Sequence, residues 1–438
     1  MKRVILNNIF LVIITTIVVV SVSIYAAGKF RAAEIIYDAS NGTSTNVNDA
    51  LDELYNNLNA GGCATNVVTP TLGDGMIPVT ISDDGTVKYA NTISNWYNYC
   101  DKKWANAVIL SSGSYSVGDT IPESSIQSYF VWIPRFRYKL WNTGTASKTR
   151  HSIEIEFETK DTTPSTGSNN GEWLTHPAFT SFNSNGFWVG KFETGYNGAT
   201  STSTAQINSS DSTKVIIKPN VYSWRYITVG NIFLTSYNYK RNLESHMMKN
   251  TEWGAVAYLS HSQFGIGYEV NINNNKTYKT GYSALPSTNQ QTSSGENGDG
   301  DKYNQSYNNE IGYLASTTGN ITGVYDMSGG AWEYVAGYSN GKTGSSGLTP
   351  TNYDSKYFDV YSGTTYTSRI LGDATGEMGP FNSQNSWYAD NSSFINTSYP
   401  WFVRGSLYNN GVLAGQFSFG KTNGANNASY GFRIVLTP

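Results

Sequence analysis

Cysteine is almost missing: the chain of 438 residues has two, Cys63 and Cys100, and none after position 100. The pair permits one disulfide across a long loop in an exported protein, and it excludes a thiolate metal or redox site in everything that follows. Charge is scarce too. Asp, Glu, Lys and Arg make up 14% of the chain, with a net charge of −3, whereas an average soluble domain has about 25%. With no basic stripe, nucleic acid is excluded as a partner, because that affinity comes largely from Lys and Arg on phosphates. Histidine is confined to His151, His176, His246 and His261, with no pair at H-x-x-x-H spacing. No G-x-S-x-G nucleophile elbow occurs either.

What is present is neutral polarity and aromatic surface. There are 32 Tyr and 11 Trp among abundant Asn, Ser, Thr and Gly, a composition that recognises partners by stacking and hydrogen bonding, as antibody loops do. After Met1-Lys2-Arg3 the chain runs apolar from Val4 to Ile24. That run is long enough to cross a bilayer as a helix, and the small residues Ala26, Ala27 and Gly28 beyond it could form a cleavage site. Residues 1–27 are therefore expected to be a transmembrane anchor or signal peptide, with the remainder exported and facing outside or secreted.

Residues 28–62 hold a short amphipathic helix, with Val47, Leu51, Leu54, Tyr55 and Leu58 on one face. That face must pack on the next domain or on sister chains in an oligomeric stalk. Residues 63–128 read as a small β-rich linker region, including a hairpin over Met76 to Lys88 that turns at Asp83-Asp84-Gly85. The main domain is expected over 129–438. It opens on aromatic strands at Tyr129 to Trp141 and Gly186 to Tyr196, with helical patterns at Ser223 to Leu243 and Asn250 to Ser260. Long polar connections separate these elements. The fold class is α+β, with few helices, short strands and long loops suited to display.

Five strings, in order, resemble the formylglycine-generating-enzyme and sulfatase-modifying-factor family: FWVGKFETG (Phe187 to Gly195), PNVYSWRYI (Pro219 to Ile227), MMKNTEWGAVAYL (Met247 to Leu259), TGVYDMSGGAWEYV (Thr322 to Val335), and the pair FVRGS (Phe402 to Ser406) and ASYGFRIVL (Ala428 to Leu436). The resemblance implies a C-type-lectin-like fold. Physical roles follow for several of these residues. Gly329-Gly330 permits a backbone path closed to other residues, with Trp332 and Tyr334 plugging the core beside it. Glu333 is expected to accept backbone N–H bonds that hold the turn, Trp253 to lie in the core, and Arg404 and Arg433 to pin the last loop to the body.

The chemistry of that family does not carry over. Its active members use a metal held by paired cysteines between R-G-G-S and L-G-F-R, because soft Cu(I) prefers thiolates. Here the interval Leu407 to Tyr430 contains none. In their place stand Tyr408, Asn409, Asn410, Gln416, Ser418, Lys421, Asn423, Asn426 and Asn427, punctuated by glycines. Val412, Leu413, Phe417 and Phe419 are expected to anchor this segment while the polar residues face out. The segment resembles the C-terminal variable region of diversity-generating-retroelement target proteins, which implies a diversified binding surface on an unchanged scaffold. Tyr399, Trp401 and Tyr430 extend the candidate site, with Trp401 as a stacking floor or a core residue.

Glu296, Asp299 and Asp301 on a Gly-rich loop are oxygen ligands suited to structural calcium, which that family often holds. No other cofactor is expected. The sequence thus points to a non-catalytic, surface-displayed binding protein for a protein or glycan, anchored by its N-terminal helix. The alternatives are an enzyme of the formylglycine-generating type with an atypical site, or a structural subunit of a prophage- or pilus-like fibre.

Overall fold

Apolar and polar residues alternate on both sides of the DDG turn, and the chain folds back on itself there. β1 (Met76–Ile81) pairs antiparallel with β2 (Val87–Tyr89), Ile81 opposite Val87. Gly85 takes the left-handed backbone (φ 88°), and the Asp84 side chain accepts from the amide of Thr86 at 2.9 Å. This hairpin and all that follows come from a computed structural model, which describes residues 67–94, 96–140, 153–168, 171–284, 304–376 and 390–438. The apolar run 4–24, the 47–58 helix, Cys63, His151 and the carboxylates Glu296, Asp299 and Asp301 lie outside the described residues. Cys100 is disulfide-bonded.

The remaining strands are β3 (Asn106–Leu110), β4 (Ile126–Pro134), β5 (Phe136–Lys139), β6 (Glu154–Phe157), β7 (Leu174–Thr175), β8 (Gly186–Gly190), β9 (Gly195–Tyr196), β10 (Val215–Ile216), β11 (His246–Met247), β12 (Tyr282–Ala284), β13 (Asn304–Ser306), β14 (Trp332–Ser339), β15 (Asp359–Tyr361), β16 (Trp401–Gly405), β17 (Gly415–Thr422), β18 (Tyr430–Phe432) and β19 (Ile434–Leu436). Two α-helices occur among the described residues, α1 (Val229–Tyr239) and α2 (Asn250–Ser260), and neither is long and apolar enough to cross a membrane.

Seven strands form one antiparallel sheet in the order β11-β19-β8-β4-β3-β1-β2. The domain boundary expected after residue 128 therefore falls inside a strand. β4 begins at Ile126 and pairs with β3 on one side and β8 on the other, so residues 67–128 complete the main sheet and are no linker. β19 lies beside β8, with Val435 opposite Val189, so the end of the chain closes back on the strand that opens the motif-bearing region. Trp132 packs on Trp188 with ring centroids 5.2 Å apart, and Trp96 stacks on Trp188 at 6.2 Å. Burial of large rings of this kind dominates core energetics.

A second sheet is built on β14. β16 pairs antiparallel along one edge, while the other edge is shared by β18 and β15, both parallel. β17 then adds to β16. α2 forms as the sequence predicts: the Glu252 carboxylate accepts from the amide of Lys249 at 2.8 Å and caps the helix start. The other helix departs from expectation. It starts at Val229, with the Thr228 hydroxyl capping the amide of Asn231, and residues 223–228 before it are not helical. Trp224 is drawn instead into the core against Tyr196 and Phe432, and Tyr226 takes a left-handed backbone.

Candidate binding surface

The turn entering β14 is set by two consecutive glycines with left-handed backbones, Gly329 (φ 77°) and Gly330 (φ 68°). A Cβ on Gly330 would sit 2.6 Å from the carboxylate of Glu193, so the sharp path expected from the sequence is sterically required. Beneath the turn lies a buried polar cluster. Glu193 accepts from the amide of Ala331, and Asp326 accepts from Asn273 and from the amide of Gly281, each at 2.9 Å. Glu333 accepts from two nitrogens of Arg433, at 2.6 and 3.0 Å.

This corrects the role expected of Glu333: its partner is a guanidinium, with no backbone amide. Arg433 also donates to the carbonyls of Gly190 and Tyr325, which ties the last strand to the body as expected. Burial, and then the nearby Glu333 and Asp326 carboxylates, hold Glu193 well above the usual carboxyl range. Arg404 reaches the side chain of Asn250 and the carbonyls of Asp373, Ala374 and Gln416, all at 3.3 Å. Trp253 and Trp332 are buried, and the indole of Trp253 donates to the Gln416 carbonyl at 2.7 Å.

The proposed polar face of the last segment divides in two. β17 is buried along most of its length, and Gln416 and Ser418 go inward with Phe417 and Phe419. The expectation that all the polar side chains face out is therefore corrected for these two. The Gln416 amide is bonded to the Ser260 hydroxyl at 3.0 Å, while the Ser418 hydroxyl is buried with no hydrogen-bond partner among the described residues. Leu413, expected as an anchor, is 38% exposed. Trp401 is fully buried, stacked on Tyr338 at 4.9 Å with its indole donating to the Thr343 carbonyl, and so is core rather than a stacking floor.

The remaining residues lie at opposite ends of the β16–β17 pair. Tyr399, exposed, together with half-buried Lys421 and Asn423, flanks the end where Trp401 faces Thr422. Tyr408, Asn409 and Asn410 follow the other end, where Gly405 faces Gly415. Tyr430 approaches that end because it pairs with Trp332 at the start of β14. Asn409 and Asn427 are exposed; Tyr408, Asn410, Asn426 and Tyr430 are half-buried. The Asn427 side chain accepts from the amide of Ser429 at 2.8 Å, fixing the turn before β18.

Three neighbours escaped the sequence reading. The ring of Tyr278 meets Tyr408 edge-on at 5.0 Å, and its hydroxyl lies 3.2 Å from that of Ser429. The Arg225 guanidinium stacks over the Tyr278 ring, 3.8 Å from its centroid, and donates to the carbonyl of Ala428. Tyr226 is 44% exposed, and its amide donates to the carbonyl of Asn427 at 2.9 Å. Burial lifts the phenols of Tyr408 and Tyr430 above their ordinary values. Arg225 and Tyr226 stand in the string Pro219 to Ile227 and Tyr278 outside every string, and no local pattern marks them, because left-handed backbone is signalled by Gly or Asn and not by Tyr.

The three described histidines, His176, His246 and His261, do not converge. His176 is buried among aromatic rings, and burial pushes it down to about 3. His246 pairs with Glu252 at 2.9 Å, and His261 lies against the carbonyl of Ala257. Among the described residues no cluster of His, Cys, Asp or Glu could hold a metal ion. The segment where active formylglycine-generating enzymes place their thiolates is filled by Gln416, Phe417, Ser418 and Phe419, a donor set that does not fit copper.

No family model matches the chain, and no curated protein does. Membership of the formylglycine-generating-enzyme family is thus without support. Among solved structures, Treponema denticola variable protein 1 aligns with a TM-score of 0.31 and 10% identity, covering 73% of this chain and 99% of its own. The Major Tropism Determinant I1 variant aligns at 0.27 with 11% identity, over 86% of this chain and 97% of its own. Scores this low do not establish a shared fold.

Proposed function

We propose that this is a non-catalytic binding protein with a C-type-lectin-like domain, and that it holds a protein or glycan through the turns around Tyr408–Asn410 and Asn427–Tyr430. One observation carries the reading: phenols and amides from separate turns gather at one end of a sheet whose interior holds the rest of the segment rigid. Tyr supplies large contact area with few rotatable bonds, and Asn supplies adaptable hydrogen bonds. The reading includes export, attachment through the apolar N-terminal segment, and structural calcium at Glu296, Asp299 and Asp301. It also includes diversification of the last segment by a retroelement, in which case variation would spare buried Gln416 and Ser418.

The test is a glycan array together with a library of displayed random peptides, both probed with wild-type protein and with Tyr408→Ala/Asn409→Ala. Specific binding by the wild type, weakened by about tenfold or more in the variant, is expected. Binding that survives the substitutions, or none in either format, overturns the assignment. A reverse transcriptase and a near-copy of the last codons in the flanking DNA would test diversification separately.

A further inference from the structure

Two aromatic residues beside this surface hold a backbone that bulky side chains avoid. Tyr226 (φ 62°) and Tyr278 (φ 57°) both lie in the left-handed region, where a Cβ crowds the following carbonyl oxygen. A glycine would relieve that strain at either place, so a tyrosine there needs another reason. Neither ring fills the core: Tyr226 is 44% exposed and Tyr278 is half-buried. Both are instead locked to the candidate surface, Tyr226 by its amide on Asn427 and Tyr278 by its hydroxyl on Ser429 and its ring on Tyr408.

The charge around them has one sign. The segments 197–209, 222–226, 276–280, 405–410 and 423–431 contain no Asp or Glu, while Arg225, Lys276 and Lys279 stand among them. They meet in space: Ser223 donates its amide to the Tyr278 carbonyl, Arg225 donates to the carbonyls of Thr202 and Ala428, and the rings of Tyr278 and Tyr408 are in contact. Lys276 is exposed, and the Lys279 ammonium lies 5.5 Å from the Tyr222 ring centroid. Among the described residues, the carboxylates of Glu193, Asp326 and Glu333 below the Gly329-Gly330 turn are buried.

We infer that the recognition surface extends beyond the last segment onto Tyr226 and Tyr278, and that it takes an acidic segment of a protein partner. This rests on the binding reading above. Phenol hydroxyls and ammonium groups donate to carboxylates, and the absence of any carboxylate across these segments removes the repulsion that would oppose them. A sugar ring stacked on Tyr278 is disfavoured, because Arg225 covers the ring at 3.8 Å and Tyr408 meets it edge-on.

Short random peptides displayed on phage, selected on the whole protein, are the probe. Acidic sequences are expected to be enriched, and their binding to weaken with added salt. Tyr226→Gly should then lose about tenfold or more in peptide affinity while its Tm stays level or rises, since the strain is gone. Lys276→Gln/Lys279→Gln should weaken binding and flatten the salt dependence. Tyr226→Gly that binds as the wild type does, enrichment of neutral or basic peptides, or no enrichment at all overturns the inference. Loss of binding in Tyr408→Ala/Asn409→Ala with full binding in Tyr226→Gly would leave the proposed function standing and remove this extension alone.

Discussion

The strand β17 and the turns on either side of it are alike in composition and opposite in fate. Gln416 and Ser418 are as polar as Asn409 and Asn427, yet the first two are buried and the last two exposed. The difference is pairing. Registered on β16, Arg404 opposite Phe419, β17 is carried into the interior whatever its side chains, whereas the turns end where the ladder ends. Polarity alone therefore does not decide exposure in this segment: the strand carries its polar side chains inward, and the turns leave theirs at the surface.

That contrast can be broken or sharpened by substitution. The largest effect is expected below the turns. Arg433→Met leaves Glu333 buried without its guanidinium, and removing one partner of such a pair costs about 3–5 kcal/mol, read as a large fall in Tm. Gln416→Ala removes the amide that Ser260 bonds at 3.0 Å and should cost about 1–3 kcal/mol, as for other buried partners left unsatisfied. Ser418→Ala should act in the opposite direction, because its buried hydroxyl has no hydrogen-bond partner among the described residues; a gain of about 1 kcal/mol in denaturant unfolding is expected. Asn409→Ala should change stability by less than about 0.5 kcal/mol and show its effect in binding. A turn substitution as costly to stability as Gln416→Ala would dissolve the contrast.

Acidity offers another handle on the buried layer. Glu193 holds its proton more tightly folded than unfolded, because burial and the Glu333 and Asp326 carboxylates oppose its charge. Its contribution to stability is complete below the ordinary carboxyl range and is lost as pH rises through the raised value, at up to about 1.4 kcal/mol per pH unit per proton. Glu193→Gln should flatten that part of the Tm-against-pH curve. An unchanged slope would show that the proton sits elsewhere.

Much of the scaffold was legible in the sequence, for local reasons. The DDG turn and the Gly329-Gly330 path each place the needed chemistry within a few residues. The failures were all decided by distant partners. Trp224 looked helical by spacing but is held by Tyr196 and Phe432, and Gln416 and Ser418 looked exposed but pair with a strand whose register no local pattern reveals. The domain boundary failed in the same way, since β4 completes a sheet begun some fifty residues earlier by β1 and closed by the last strand, β19. At the candidate surface, Tyr408, Asn409, Asn427 and Tyr430 were visible as composition, while Arg225, Tyr226 and Tyr278 become neighbours only through folding.

Hydrogen–deuterium exchange of the whole protein, with and without a peptide selected on it, tests the division between strand and turns most directly. Binding should add protection at residues 406–410, 425–430 and 224–227 and leave 415–422 as slow as before. New protection confined to other parts of the chain, with the turns unchanged, would contradict it.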